Sequence, residues 1–141
     1  MKIAILFFVV LVCLSCTNDD KSKIANSGKE LITLASGLQY RVLQEGLGRE
    51  AKAGDTVLIF ETVRYSDSTL IFSNENSDRA IRVLIGGGQA TEGEDEGLRG
   101  MKEGEIREMI IPPALSRRKS YPPNLSPDST IIVKVILEKI L

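Results

Sequence analysis

Residues 85–113 constrain the fold more than any other part of the chain. Gly86-Gly87-Gly88 opens this segment as a turn, because residues without a Cβ favour neither helix nor strand. Residues 91–101 then have helical spacing, with Leu98 and Met101 one turn apart on a face that can pack against a sheet. Gly93 and Gly97 interrupt that run, and each lowers intrinsic helix stability by about 1 kcal/mol against alanine. A Lys102-Glu103-Gly104-Glu105 turn follows, and a strand pattern over 105–111 stops at Pro112-Pro113. A helix this short and glycine-rich needs tertiary packing to persist. The rest of the chain has to supply a sheet to hold it.

The remaining pattern is strand. Leu38, Tyr40 and Val42 alternate with polar residues, as a half-buried strand requires. Residues 56–65 follow the turn Lys52-Ala53-Gly54-Asp55 and are rich in β-formers. Further strands are expected at 70–73, 81–85 and 131–141. In the last, Ile132, Lys134, Ile136 and Glu138 share one face, and Val133, Val135 and Leu137 the other. The expected class is α+β, a twisted antiparallel β-sheet wrapped around one short α-helix. Residues 36–141 have the size of one ordinary domain. Their aromatics are Tyr40, Phe60, Tyr65, Phe72 and Tyr121, with no tryptophan, so the core has to be aliphatic.

Composition excludes several chemistries. The chain has no histidine, which removes the usual general base near neutral pH and the commonest metal ligand. Its two cysteines, Cys13 and Cys16, both precede the domain, so the domain has no disulfide, thiol nucleophile or cysteine ligand. Neither a metal nor another cofactor is expected. Formal net charge is −1, from 18 basic and 19 acidic residues, so nucleic acid is not an expected partner. Gly86-Gly87-Gly88 is not followed by the Gly-Lys-Ser/Thr of a phosphate loop. Arg117-Arg118-Lys119 reads as a solvated loop or as a contact patch for an acidic partner or lipid head groups.

The first residues form a separate unit. Lys2 precedes an apolar run at 3–14, too short to span a bilayer, which takes about 20 residues. It has the length of a secretory h-region and ends at Ser15-Cys16. Residues 1–15 resemble a bacterial lipoprotein signal peptide, with Cys16 as the lipidated residue. Cys13 departs from the Leu or Val usual at that position, and an ordinary signal peptide with an incidental cysteine is the alternative. Residues 16–35 read as the lipidated cysteine and a polar tether, reaching on the order of 25 Å as a coil. Ile24, Leu31, Ile32 and Leu34 form at most a weak helix there, interrupted by Gly28. Thr17-Asn18 does not resemble the aspartate signal for inner-membrane retention, and Asp19-Asp20 resembles surface-export signals of some Bacteroidota. The expected location is the cell envelope, lipid-anchored at the outer membrane on its periplasmic face or at the cell surface.

Five blocks in order and register carry a family resemblance. They are Ser36-Gly37-Leu38-Gln39-Tyr40, Ala53-Gly54-Asp55-Thr56-Val57, Asp95-Glu96-Gly97-Leu98-Arg99-Gly100-Met101 with Glu103-Gly104-Glu105, Ile111-Pro112-Pro113, and Pro127-Asp128-Ser129-Thr130-Ile131. Residues 36–141 thereby resemble the FKBP-type peptidyl-prolyl cis-trans isomerases. The resemblance implies an FKBP-like fold and the rotamase activity of that family. It implies as partners proline-containing peptides, unfolded exported proteins, or an envelope protein. Such isomerisation needs no nucleophile: the barrier is loss of amide resonance, roughly 18–20 kcal/mol. An apolar pocket that excludes water and favours the twisted amide lowers it.

The chain departs from the family at most pocket positions. By that resemblance the pocket tyrosine falls on Glu61, and the Phe-Asp pair on Ile71-Phe72, or on Phe72-Ser73 with one insertion. The next phenylalanine falls on Ile81, the backbone-contact pair on Ala90 and Thr91, and the tryptophan floor on Glu94. The loop tyrosine falls on Arg117, with Tyr121 or Leu125 as partial replacements, and the last-strand phenylalanine on Val133. A carboxylate on a pocket floor must protonate, stay wet or find a cation. Three arrangements satisfy this: a solvent-filled pocket, Arg117 bridging Glu61 and Glu94, or a charged pocket for a cationic or peptide ligand. Two functions follow. One is an isomerase of weak or lost activity that assists folding of exported proteins. The other is a non-catalytic binding or accessory module of an outer-membrane complex.

Overall fold

A computed structural model of the chain describes residues 30–141. Cys16, the signal sequence and most of the tether lie outside the described residues. Seven strands form one antiparallel sheet: β1 (Ile32–Thr33), β2 (Gln39–Gln44), β3 (Thr56–Tyr65), β4 (Leu70–Ser73), β5 (Ile81–Leu84), β6 (Ile106–Ile111) and β7 (Ile131–Ile140). Their order is β1-β2-β6-β7-β3-β4, and β5 also pairs with β3. One helix, α1 (Glu92–Leu98), and a 3-10 turn at Pro113–Leu115 complete the fold. This is the α+β arrangement expected from the sequence.

Alternation positions the core. Ile131, Val133, Val135 and Leu137 of β7 are buried, as are Val57, Ile59 and Val63 of β3 and Met109 and Ile111 of β6. These side chains share the sheet face that meets Leu98 and Met101. Register places Val63 opposite Val133 and Met109 opposite Val133 on the other side, so central valines knit three strands together.

The helical glycines have a packing role. A Cβ on Gly97 would stand 2.0 Å from Met109 Sδ, and one on Gly93 2.6 Å from Ile111 Cγ2. Their absence lets α1 lie directly on β6, which offsets part of their cost in helix propensity.

Two boundaries differ from the sequence expectation by more than one residue. The helix ends at Leu98 instead of reaching Met101, because Arg99 is already extended at ψ 138°. The buried Arg107 guanidinium receives the freed chain end, donating to the carbonyls of Gly97 at 2.9 Å and Arg99 at 3.1 Å. It also pairs with buried Glu105 at 2.6 Å and stacks on Tyr40, 4.4 Å from the ring centre. The sheet, in turn, begins at Ile32 and not at Ser36. Ile32 and Thr33 pair with Tyr40 and Gln39, so the expected tether contributes a short edge strand where a weak helix was expected.

Candidate functional site

One cavity of about 380 Å³ opens between β3, β4 and the loop that follows β6. Glu61 and Val63 of β3, Ile71 and Phe72 of β4, and Arg118, Pro122, Asn124 and Leu125 of the loop line it. Strand period sets the first pair: Glu61 and Val63 are two residues apart, so they point to the same face as Ile59. The loop is held over the strands by hydrogen bonds. The Tyr65 hydroxyl donates to Asn124 O at 2.8 Å and accepts from Ser126 N at 2.8 Å. Asn124 Nδ2 donates to Ile71 O at 3.1 Å. The Tyr121 hydroxyl accepts from Arg118 N at 3.2 Å. On the other side of Glu61, the backbone exchanges bonds with Asn74: Glu61 N donates to Oδ1 at 2.7 Å, and Asn74 N donates to Glu61 O at 3.1 Å. The carboxyl-bearing residue therefore sits on rigid backbone.

The electrostatic centre of the cavity is a pair of carboxyls. Glu94, on α1 and only 8% exposed, is the acidic neighbour that acts on Glu61. Burial first, then the neighbouring Glu94, push the Glu61 carboxyl up to about 9, with Arg118 opposing the shift. Glu61 Oε2 is buried and finds no N–H or O–H donor elsewhere in the described residues. A proton held between the two carboxyls satisfies that oxygen and relieves the like-charge contact. At neutral pH Glu61 is therefore protonated. Glu61 shares the cavity wall with two other polar residues, Arg118 and Asn124, and with the apolar Val63, Ile71, Phe72, Pro122 and Leu125.

The residues singled out from the sequence do not all meet in one place. Glu61, Ile71, Phe72 and Leu125 meet around this cavity. Glu94 lies behind it against Glu61, Val133 is buried in the sheet, and Ile81 packs on the core edge opposite Ile59. Thr91, 5% exposed, precedes α1 with its hydroxyl unpartnered and makes no capping bond. Arg117 and Tyr121 line a neighbouring cavity of about 340 Å³ with Pro113, Ala114 and Arg118. Ala90 borders a separate, more acidic hollow of about 570 Å³ beside Ser36, Asp95, Glu96 and Arg99.

An Arg117 bridge between the two carboxyls does not form: Arg117 is exposed and pairs with neither. The arginine that reaches Glu61's surroundings is its neighbour, Arg118. Sequence reasoning missed Arg118, Asn124, Pro122 and Val63. Only Val63 carried a readable signal, since it follows Glu61 at strand spacing.

The same stretch of chain matches a family model. The model for FKBP-type peptidyl-prolyl cis-trans isomerase covers residues 48–138, which include the cavity-forming strands, helix and loop. The chain belongs to this family. It is 32% identical over 105 residues to an FK506-binding protein of Neisseria meningitidis serogroup B, the match covering 74% of this chain and 96% of that one. It is 31% identical over 113 residues to the 46 kDa FK506-binding nuclear protein of Spodoptera frugiperda. That match covers 79% of this chain and 27% of the insect protein, so the chain spans about a quarter of that relative's length. Among solved structures, FkpA from Escherichia coli superposes with a TM-score of 0.70 and 26% identity, over 84% of this chain and 55% of FkpA. AtFKBP13 superposes at 0.68 with 22% identity, over 79% and 99% of the two chains, which shows a common fold.

For an FKBP domain this cavity is chemically mixed. Val63, Ile71, Phe72 and Leu125 can exclude water from a bound group, as prolyl isomerisation requires. The paired carboxyls work against that by holding charge and favouring a polar occupant. Among the described residues there is no cluster of three or more acidic, histidine or cysteine side chains able to hold a metal.

Proposed function

We propose that this FKBP domain is a lipid-anchored binder of exported polypeptides in a bacterial cell envelope, with prolyl isomerisation weak or lost. The observation that carries the reading is the Glu61 carboxyl in the wall of the cavity, where the family resemblance expects an aromatic ring, with the nearly buried Glu94 behind it. Rate enhancement in prolyl isomerisation comes from binding the twisted amide better than the planar one. A dry pocket favours the twisted amide, whose charge separation is smaller. A wall that carries charge and holds water favours both forms more nearly equally. The apolar half of the cavity still offers area for an extended segment, so binding survives where catalysis declines. The lipid anchor rests on Lys2, the apolar run at 3–14 and Ser15-Cys16.

The test is a protease-free isomerisation assay on the chain from Thr17 onward, with a panel of Xaa-Pro peptides. The expected result is a rate close to the uncatalysed one from a folded sample. Strong acceleration that disappears on changing Ile71 or Leu125 would overturn the catalytic part of the reading.

A further inference from the structure

The loop that follows β6 borders two hollows. Arg118 lines both the cavity of about 380 Å³ and the neighbouring one of about 340 Å³. Other loop residues divide between them: Pro122 and Leu125 border the first, Tyr121 and Pro127 the second. A chain seated in the first cavity can run on past Arg118 into the second, since each extended residue advances it by about 3.3 Å.

The second hollow is cationic. Arg117 and Arg118 both line it, and Lys119 continues the exposed basic run. Neither arginine enters an ion pair among the described residues, whereas Arg41, Arg49, Arg99, Arg107 and Lys134 each do. Asp128 is the one acid in the lining, and it pairs with neither arginine. Glu61, in the wall of the first cavity, supplies no counter-charge either. Its Oε2 is buried, and its carboxyl is protonated at neutral pH.

Tyr121 adds a neutral donor. Its hydroxyl accepts from Arg118 N at 3.2 Å and donates to no acceptor among the described residues. Two guanidinium groups and one O–H therefore offer positive charge and hydrogen-bond donors to a single hollow, which is the complement of a carboxylate. Pro113, Ala114 and Pro127 give the short stem of an acidic side chain apolar contact.

We propose that the second hollow binds an acidic side chain of the polypeptide, an aspartate or glutamate lying close in sequence to the apolar residue seated in the first cavity. The inference rests on the reading above that the first cavity is the polypeptide-binding site. It narrows the substrate class to segments in which acidic residues flank an apolar one, and it disfavours segments with basic flanks.

The test uses the full-length chain purified in a non-ionic detergent. Acetylated, amidated Gly/Ser peptides carry a central Leu-Pro flanked on each side by paired glutamates, glutamines or lysines, and binding is measured by calorimetry. Flanking both sides makes the comparison independent of the direction in which the peptide lies. The glutamate peptide should bind about fivefold more tightly than the glutamine peptide in dilute salt, the size of one or two part-exposed charge pairs, and the lysine peptide more weakly than both. The preference should shrink at about 0.5 M salt, where screening shortens the reach of the arginines. The formal net charge of the chain is −1, so attraction by overall charge would favour the lysine peptide and reverse this order. Arg117→Gln combined with Arg118→Gln should bring the glutamate and glutamine peptides to one affinity. Arg117→Lys combined with Arg118→Lys should keep part of the preference.

Equal affinity for the glutamate and glutamine peptides overturns the inference but leaves the polypeptide-binding reading standing. A glutamate preference that survives the double glutamine substitution overturns it as well. Equal affinities, together with heat on adding phosphatidylglycerol that the double glutamine variant does not give, would assign the arginines to lipid head groups instead. Binding of none of the three peptides overturns both readings. The order of the three peptides on the unaltered chain decides the matter even where a variant fails to fold.

Discussion

At the scale of single residues, Glu61 couples the site to stability. Its folded-state pKa is raised by burial and by Glu94, while in the unfolded chain it titrates as an ordinary glutamate. Between those values the folded state binds more protons than the unfolded one, so this group makes stability fall as pH rises from about 4.5 to about 9. Glu61→Gln replaces the protonated acid by a neutral amide that can still donate to Glu94. The variant should be more stable than the wild type at pH 8, by about 1–3 kcal/mol, and nearly equal to it at pH 4.5. Thermal melts across that range check this, and parallel curves for the two proteins would contradict the assignment. A second substitution at the same place addresses catalysis. Glu61→Tyr with Glu94→Trp removes both carboxyls and supplies aromatic carbon. It should raise prolyl isomerisation by about tenfold or more above the wild type, which asks the restored pocket for only ~1.4 kcal/mol. A folded double variant with no gain would show that the carboxyls are not what limits the rate.

At the scale of elements, the α1–β6 contact sets two effects against each other. Gly97→Ala improves helix propensity by about 1 kcal/mol, but overpacking a close contact costs about 1–3 kcal/mol. The added Cβ would stand 2.0 Å from Met109 Sδ, so the steric cost should win and urea unfolding should show a net loss. The Tyr65 hydroxyl makes two of the hydrogen bonds that hold the loop over the cavity. Tyr65→Phe removes both the bond to Asn124 O and the bond from Ser126 N. It should cost about 1–2 kcal/mol and speed proteolytic cutting within residues 113–130, with little change in the sheet.

Which elements the sequence revealed follows from the same physics. β3 and β7 were readable because ten-residue strands with a buried face repeat their signal several times. β1 was not, since two paired residues carry no period. The helix end was overestimated because Met101 is buried like a helical residue although it lies beyond the last turn. Arg117 and Arg118 are adjacent in an irregular loop, where no period dictates which one turns inward. Glu61 and Glu94 were flagged separately through the family resemblance. Their mutual contact spans a strand and a helix that only the folded sheet brings together.

At the scale of the whole molecule, the described domain carries one aliphatic core. Its core is closed by α1 on one sheet face, and none of its helices is long and apolar enough to cross a membrane. The residues before it offer one route to a membrane. The segment Lys2 to Cys16 offers two mechanisms with different chemistry. In the lipoprotein reading, Cys16 bears the acyl chains, and stable anchoring needs more than one of them, at about 0.8 kcal/mol for each buried methylene. In the alternative, an ordinary signal is removed and the thiol has no role. The two separate cleanly in a detergent phase partition of the chain expressed with its own signal in a bacterial host. The wild type should enter the detergent phase and incorporate labelled fatty acid. Cys16→Ser should lose both, and Cys13→Ser should keep both because Cys13 leaves with the signal. A wild-type protein that stays in the aqueous phase, or a Cys16→Ser variant that still takes up label, would remove the anchor from this account. The binding site would then work free of the membrane, with its chemistry unchanged, since nothing in the Glu61–Glu94 pair depends on how the domain is tethered.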